Sequence, residues 1–313
     1  MQYTGQNATL RIPTPLKDGF FVRVTTVLAQ SSWAEKRGIP WFVEGNATTD
    51  PYFDAARFDD NWLEYFAAPT DVRPSKDREA GVIQLSCGSA FRIYHYEMNR
   101  RHSIYPSTMQ QAVLARAAHS EQLKRWFRIQ PEIVTAAQMM WNTTLERTIA
   151  LSLPPAVLGV HMRGTDKFIG RRVLPDEYWP LIDAWRSQCR GVIFLATDDP
   201  TYAAAAKTRY GDVLLEQDTV LRSQTNIFLD SAHGTPHAKG LQVLVDMLVL
   251  SKTHFLLKSN SAVAEFAVYL HQHTEGAHEW SYDFTIQVVT CTSSSLRGNP
   301  ETRSAAPTPS SLL

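Results

Sequence analysis

The chain has 313 residues, 44% of them hydrophobic and 20% charged, which fits a globular protein of two domains and excludes a disordered or coiled-coil one. Lys plus Arg and Asp plus Glu balance at 31 each, so no basic surplus argues for nucleic acid, and any anion site must come from local placement. The cysteines Cys87, Cys189 and Cys291 are far apart and odd in number, neither a disulfide framework nor a metal-binding spacing.

Met1 to Gly5 contains no basic start followed by an apolar run, and no window approaches the ~18 apolar residues of a membrane span. The expectation is a cytoplasmic protein without a membrane segment, or a Golgi or ER lumenal one if the chain is a trimmed ectodomain. Sequons at Asn7, Asn46 and Asn142 carry little weight without a leader.

In chain order, residues 1–20 read as an irregular lead-in. Phe20 to Val24 reads as a strand, with Thr25 or Thr26 capping a helix through Val27, Leu28 and Trp33. Gly38 stands where a helix ends, and Ile39 to Glu44 reads as the next strand. Asp59 to Phe66, Ser107 to Phe127 and Pro131 to Leu151 have helical spacing, and Pro131 suits a first turn. Leu153-Pro154-Pro155 breaks the pattern and marks the expected domain boundary. This gives a Rossmann-like domain over 1–153, a second Rossmann-like domain over 154–290 and a compositionally disordered tail over 291–313.

Beyond the boundary, apolar runs at 157–161, 191–196, 213–216 and 255–258 alternate with helical patterns at 175–190, 201–210, 238–253 and 262–272. That alternation predicts an α/β fold with a parallel sheet. The polar loop from Gln217 to His237 is long enough to suggest function.

Strand 157–161 runs straight into His161, Arg163, Asp166 and Lys167. Polar groups crowded at the carboxyl end of an apolar strand sit where open α/β sheets bind ligands, although a surface turn with an ordinary ion pair has the same composition. Asp246 lies in a helix that is apolar nearly all round, and a carboxylate buried there needs a partner. Lys239, Arg222 or Arg163 would serve, and so would guanine, whose N1–H and 2-amino group match the two carboxylate oxygens.

Asp198 and Asp199 end another strand and precede Pro200, a helix-capping arrangement that also resembles half of a metal site. Ser259-Asn260-Ser261 precedes a helix, where hydroxyls cap and free amides attract phosphate. His233, His237, His271, His273 and His278 have only loose metal-like spacing, so no metal is expected. Glycine-rich dinucleotide and Walker loops, His-Glu-x-x-His and Gly-x-Ser-x-Gly are all absent.

Taken together, His161-x-Arg163-Gly-Thr165-Asp166-Lys167, Ala196 to Pro200, and Asp246-x-x-x-Leu250-Ser251 with Ser259-Asn-Ser261 resemble the three motifs of the fucosyltransferase superfamily. That group comprises α1,6-fucosyltransferases, the NodZ enzymes and protein O-fucosyltransferases, and the resemblance spans residues 157–270. It implies a GT-B-like pair of Rossmann-like domains facing a cleft, an acceptor-facing one over 1–153 and a nucleotide-sugar-binding one over 154–290. It also implies metal-independent, inverting transfer of fucose from GDP-fucose to a glycan or protein hydroxyl.

Under that resemblance Arg163 clamps the β-phosphate, His161 contacts guanine, Asp246 reads it, and Ser261 serves the phosphate side. Tyr178 and Lys167 match supporting positions, Asp198 and Asp199 match essential acidic ones, and Arg222 and Ser259 complete the expected donor contacts. Arg163, Asp166 and Lys167 are the expected catalytic group. The sequence departs from the pattern at Gly164, where a second basic residue is usual, and at Arg171 and Arg172, near where the α1,6 enzymes carry a glutamate. Ala262 replaces the second serine of the phosphate pair. A catalytically silent nucleotide- or glycan-binding module, or a GT-B enzyme using another sugar nucleotide, fits the same motifs.

Overall fold

A computed structural model describes residues 9–13, 19–44, 51–54, 56–57, 64–67, 82–84, 123, 127–164, 171–218, 220–223, 234–275 and 280–285. Most of the stretches 59–66 and 107–127, Asp166, Lys167 and the 291–313 tail lie outside the described residues.

Two parallel sheets organise the chain, as the α/β expectation required. The first is small, with order β2-β1-β3 formed by β1 (Thr9–Pro13), β2 (Trp41–Glu44) and β3 (Val82–Gln84). Strand β1 lies within the segment expected to be an irregular lead-in. Its Leu10 and Ile12 are fully buried while Thr9 and Arg11 are half-buried, so a period-two pattern is present but only five residues long.

Helix α1 (Phe20–Glu35) corrects the strand expected at 20–24. Phe20, Phe21, Val24, Val27 and Leu28 recur at helical intervals and are all buried. The β-branched residues that suggested a strand are tolerated because the helix is enclosed nearly all round. Thr25 and Ser31 satisfy their hydroxyls by donating to the carbonyls of Phe21 and Leu28. Gly38 follows the helix at φ +63°, the left-handed conformation glycine adopts without strain.

Helix α2 (Pro131–Ala150) starts on its proline as expected. The second sheet has order β6-β5-β4-β7-β8 and is parallel throughout. It comprises β4 (Val157–Met162), β5 (Val192–Thr197), β6 (Leu214–Leu215), β7 (Phe255–Lys258) and β8 (Ser281–Asp283). Its helices are α3 (Pro175–Cys189), α4 (Pro200–Tyr210), α5 (Pro236–Leu250) and α6 (Ala262–Glu275).

Strands β4 and β5 are buried along their whole length, the continuous apolar run expected of strands covered on both faces. Gly159 in β4 lets the end of α5 and the turn after it approach closely, since a Cβ there would lie 2.6 Å from the Thr253 hydroxyl and 3.2 Å from a Leu250 methyl. The chain builds outward from β4 through β5 to β6, then crosses back through α5 to β7 on the other side of β4. The strand order therefore reverses between β4 and β7, and ligands of open α/β sheets bind beyond the strand ends at such a switch point.

One continuous apolar cluster joins the helix of the first sheet to the second. Phe21 of α1 packs against Phe266 of α6, with ring centroids 4.5 Å apart. A second cluster lies on the other face of the second sheet, around Tyr178, Trp185 and Tyr202.

Candidate functional site

The carboxyl ends of β4 and β5, the face of α5 and the start of α6 line a solvent-open hollow. His161 and Arg163 enter from β4, and Ala196, Thr197 and Asp198 from β5. Lys239, Gln242, Val243 and Asp246 line it from α5, with Val263 of α6 and Leu221 completing the wall.

Arg163 is fixed by an ion pair, its guanidinium standing 2.7 Å from Asp198 Oδ2. The other oxygen of Asp198 accepts from the Gly164 amide at 2.8 Å, so one carboxylate pins the turn and aims the guanidinium. Gly164 itself cannot be larger without movement: a Cβ there would stand 2.4 Å from Asp199 Cβ. The missing second basic residue of the motif is thus matched by a packed acid where its side chain would go.

His161, next to last in β4, is 5% exposed and pairs in register with Lys258 of β7. From the opposite face of the sheet the Tyr178 hydroxyl donates to the His161 carbonyl at 3.1 Å, and burial raises the Tyr178 pKa. Tyr178 therefore supports the strand end from the core and does not line the hollow.

Asp246 is 8% exposed, and burial pushes its carboxyl pKa up to about 7. The Gln217 amide, which donates to Oδ1 at 2.5 Å, opposes that shift, and the charge of Arg222 does so more weakly. Arg222 is not bonded to the acid. It pairs with Glu216 at 2.6 Å and donates to the Thr197 carbonyl. Among the described residues Gln217 is the one hydrogen-bond partner of Asp246, leaving Oδ2 for the hollow.

The segment over this wall is strapped to α5. Gln242 accepts from the Leu221 amide at 2.7 Å, and Gln217 also donates to the Gln242 carbonyl. Gln217 and Gln242 had no place in the sequence reading, although Lys239, Gln242 and Asp246 fall at helical intervals of three and four, a polar stripe legible in an otherwise apolar helix.

The expected residues thus divide. His161, Arg163, Asp198 and Asp246 share the hollow. Asp199 instead caps α4, accepting from the Thr201 and Tyr202 amides, and pairs with Arg172 at 3.0 Å. Ser259 and Ser261 are buried in the β7–α6 turn, four and two positions before Val263, and Arg222 donates to the Thr197 carbonyl.

Sequence reasoning missed two buried ionic groups. Lys258 Nζ stands 2.6 Å from Glu265 and also pairs with Asp283, and none of the three exceeds 9% exposure. Glu64, fully buried, meets His237 Nδ1 at 2.8 Å, and burial raises the Glu64 pKa. Among the described residues no group of three or more His, Cys, Asp or Glu is placed to hold a metal ion, and no helix is long and apolar enough to cross a membrane.

No protein-family model matches the chain, and no curated protein sequence does. The chain is similar in structure to a NodZ alpha-1,6-fucosyltransferase soaked with GDP-fucose, at 12% identity and TM-score 0.49, over 85% of this chain and 93% of that one. It is similar to POFUT1 in complex with GDP-fucose at 10% identity and TM-score 0.43, over 91% and 99%. An Arabidopsis thaliana FUT1 variant in complex with GDP gives 10% identity and TM-score 0.41, over 87% and 70%.

Proposed function

We propose that this chain is a GDP-fucose-dependent glycosyltransferase of GT-B-like layout, transferring fucose with inversion and without a metal to a hydroxyl of a glycan or protein. The observation that carries the reading is that Arg163 and Asp246, 83 positions apart in the sequence, line one hollow beyond a parallel sheet. The motif resemblance assigns those same two side chains to the diphosphate and the guanine.

The chemistry follows from where charge moves. The acceptor oxygen bonds to C1 of the sugar, the bond from C1 to the diphosphate breaks, and negative charge grows on the departing phosphate. A guanidinium already held in place by Asp198 meets that charge with no reorganisation, the condition under which fixed donors contribute most. Among the described acids of the hollow, Asp198 is engaged by Arg163, and Asp246 faces the base. The acceptor proton therefore leaves to another group, and Asp166 is the carboxylate nearest to Arg163 along the chain.

Arg163→Ala should lower fucose transfer by about 10²–10³-fold with the melting temperature nearly unchanged, and EDTA should leave the rate of the unaltered chain as it was. Full activity in Arg163→Ala removes the assignment. A second reading, a nucleotide-binding module without turnover, is favoured by Ala262 and by the arginines at 171 and 172. GDP binding with neither transfer nor hydrolysis of GDP-fucose would select it. Donor profiling separates a third, a GT-B enzyme with another sugar nucleotide.

A further inference from the structure

We infer that Gln217 selects the purine and does so through Asp246: its amide keeps one carboxylate oxygen an acceptor, so the acid pairs with guanine and turns adenine away. The inference rests on the nucleotide reading above and deepens it with a residue that the motifs do not supply.

The Gln217 side-chain nitrogen reaches two acceptors on α5, Asp246 Oδ1 at 2.5 Å and the Gln242 carbonyl at 3.0 Å. Positions 242 and 246 lie one turn apart on the same face of the helix, and both amide hydrogens are spent there. The amide cannot be reversed, because its oxygen would then stand against the Gln242 carbonyl, which has no hydrogen to give. Asp246 Oδ1 is therefore met by an N–H, and turning the carboxyl about its own bonds breaks that contact.

The segment that carries Gln217 has other anchors. Gln242 binds both the amide and the carbonyl of Leu221, Arg222 donates to the Thr197 carbonyl, and the Ser223 amide donates to the Asp198 carbonyl. The contact with Asp246 can thus be removed while the segment stays in place.

The two purines differ at N1. Guanine offers N1–H beside its 2-amino group, two donors that match an ionised carboxyl. Adenine offers a bare N1 beside its 6-amino group, which matches a protonated carboxyl, one oxygen donating and the other accepting. Burial favours the protonated form of Asp246, and the Gln217 amide is the strongest influence against it. The charged and titratable groups around the acid are Lys239 on its own helix, His161 and Arg163 at the end of β4, Asp198 after β5, and Glu216 and Arg222 after β6.

The test is calorimetry of guanosine and adenosine on the full chain from pH 6 to 8, since neither nucleoside carries a phosphate that titrates there. Gln217→Met keeps the length of the side chain and removes the donor. At pH 7 it should bind guanosine about tenfold more weakly and adenosine more tightly, with the guanosine loss shrinking toward pH 8. Equal losses for both nucleosides, a guanosine loss that is the same at every pH, or no change overturns the inference.

The unaltered chain supplies a second measurement. Adenosine should bind more tightly as pH falls from 8 to 6 while guanosine binds more weakly, and affinities that move together overturn the inference. If the unaltered chain prefers guanosine at no pH, the guanine reading fails and the role of Gln217 with it. A guanosine preference that Gln217→Met leaves intact across the range sinks the role of Gln217 alone.

Discussion

Two buried acidic centres flank the end of the second sheet, and they are finished differently. Around Lys258 the protein supplies both signs of charge: Glu265 and Asp283 meet one ammonium, and Asp283 also accepts the amide and hydroxyl of Thr285. Around Asp246 it supplies a neutral amide, and Arg222, whose charge acts on the acid more weakly, is committed to Glu216. The first centre is complete as folded. The second leaves an acid whose charged form burial disfavours, and the proposed function sets the paired N–H groups of guanine against it.

The contrast is sharpened most strongly by Lys258→Met. Two carboxylates would remain buried without their cation, and the fold should lose about 3–5 kcal/mol in chemical denaturation. A loss below 1 kcal/mol would mean that the triad is not the closed structural unit described.

Asp246→Asn should act in the opposite direction, raising stability on the order of 1–3 kcal/mol at pH 8 while removing guanine recognition. The sign follows from the raised pKa. Between pH 4 and 7 the unfolded acid has lost its proton and the folded one retains it, so stability of the unaltered chain falls as pH rises through that window and is level above it. The advantage of the asparagine should therefore grow from pH 4 to 7 and then stay constant. An advantage independent of pH would show that burial does not govern this carboxyl. Guanosine binding depends on the same ionisation. Its affinity should rise from pH 6 to 8, by no more than about tenfold per unit, and flatten above 7. Arg222, Glu216 and Gln217 are the groups that tune this titration.

The smallest effect belongs to Asp199. As the cap of α4, its replacement by alanine should cost about 1 kcal/mol in a thermal melt, with guanosine affinity unchanged. A selective loss of guanosine binding would move Asp199 from the frame of the site into the site itself.

What the sequence made legible follows from where the physics is local. Strands β4, β5 and β7 stand out because both faces are covered, and Arg163 and Asp198 because polar residues crowd the strand ends. Asp246 is conspicuous as one acid in an oily helix. Helix α1 was misread because its apolar period was masked by β-branched residues that local bonds to the helix backbone accommodate. Strand β8, Ser281–Asp283, was missed because its three residues carry no apolar run and its pairing is with β7. Lys258 was invisible for a related reason: a lysine ending a strand reads as solvent-facing until partners 7 and 25 positions away close over it. The stripe from Lys239 to Asp246 was present in the spacing, but which way it faced depended on the crossover of α5 above β4 and β5.

The central claim is that Asp246 recognises guanine in a hollow whose rim holds a diphosphate. Its most direct test is calorimetry of GDP and ADP against the unaltered chain and Asp246→Asn at pH 8. The account predicts GDP bound at least about tenfold more tightly than ADP by the unaltered chain, and the two nucleotides bound alike by the variant. Equal affinities in the unaltered chain, or a preference for GDP that survives in Asp246→Asn, would contradict it.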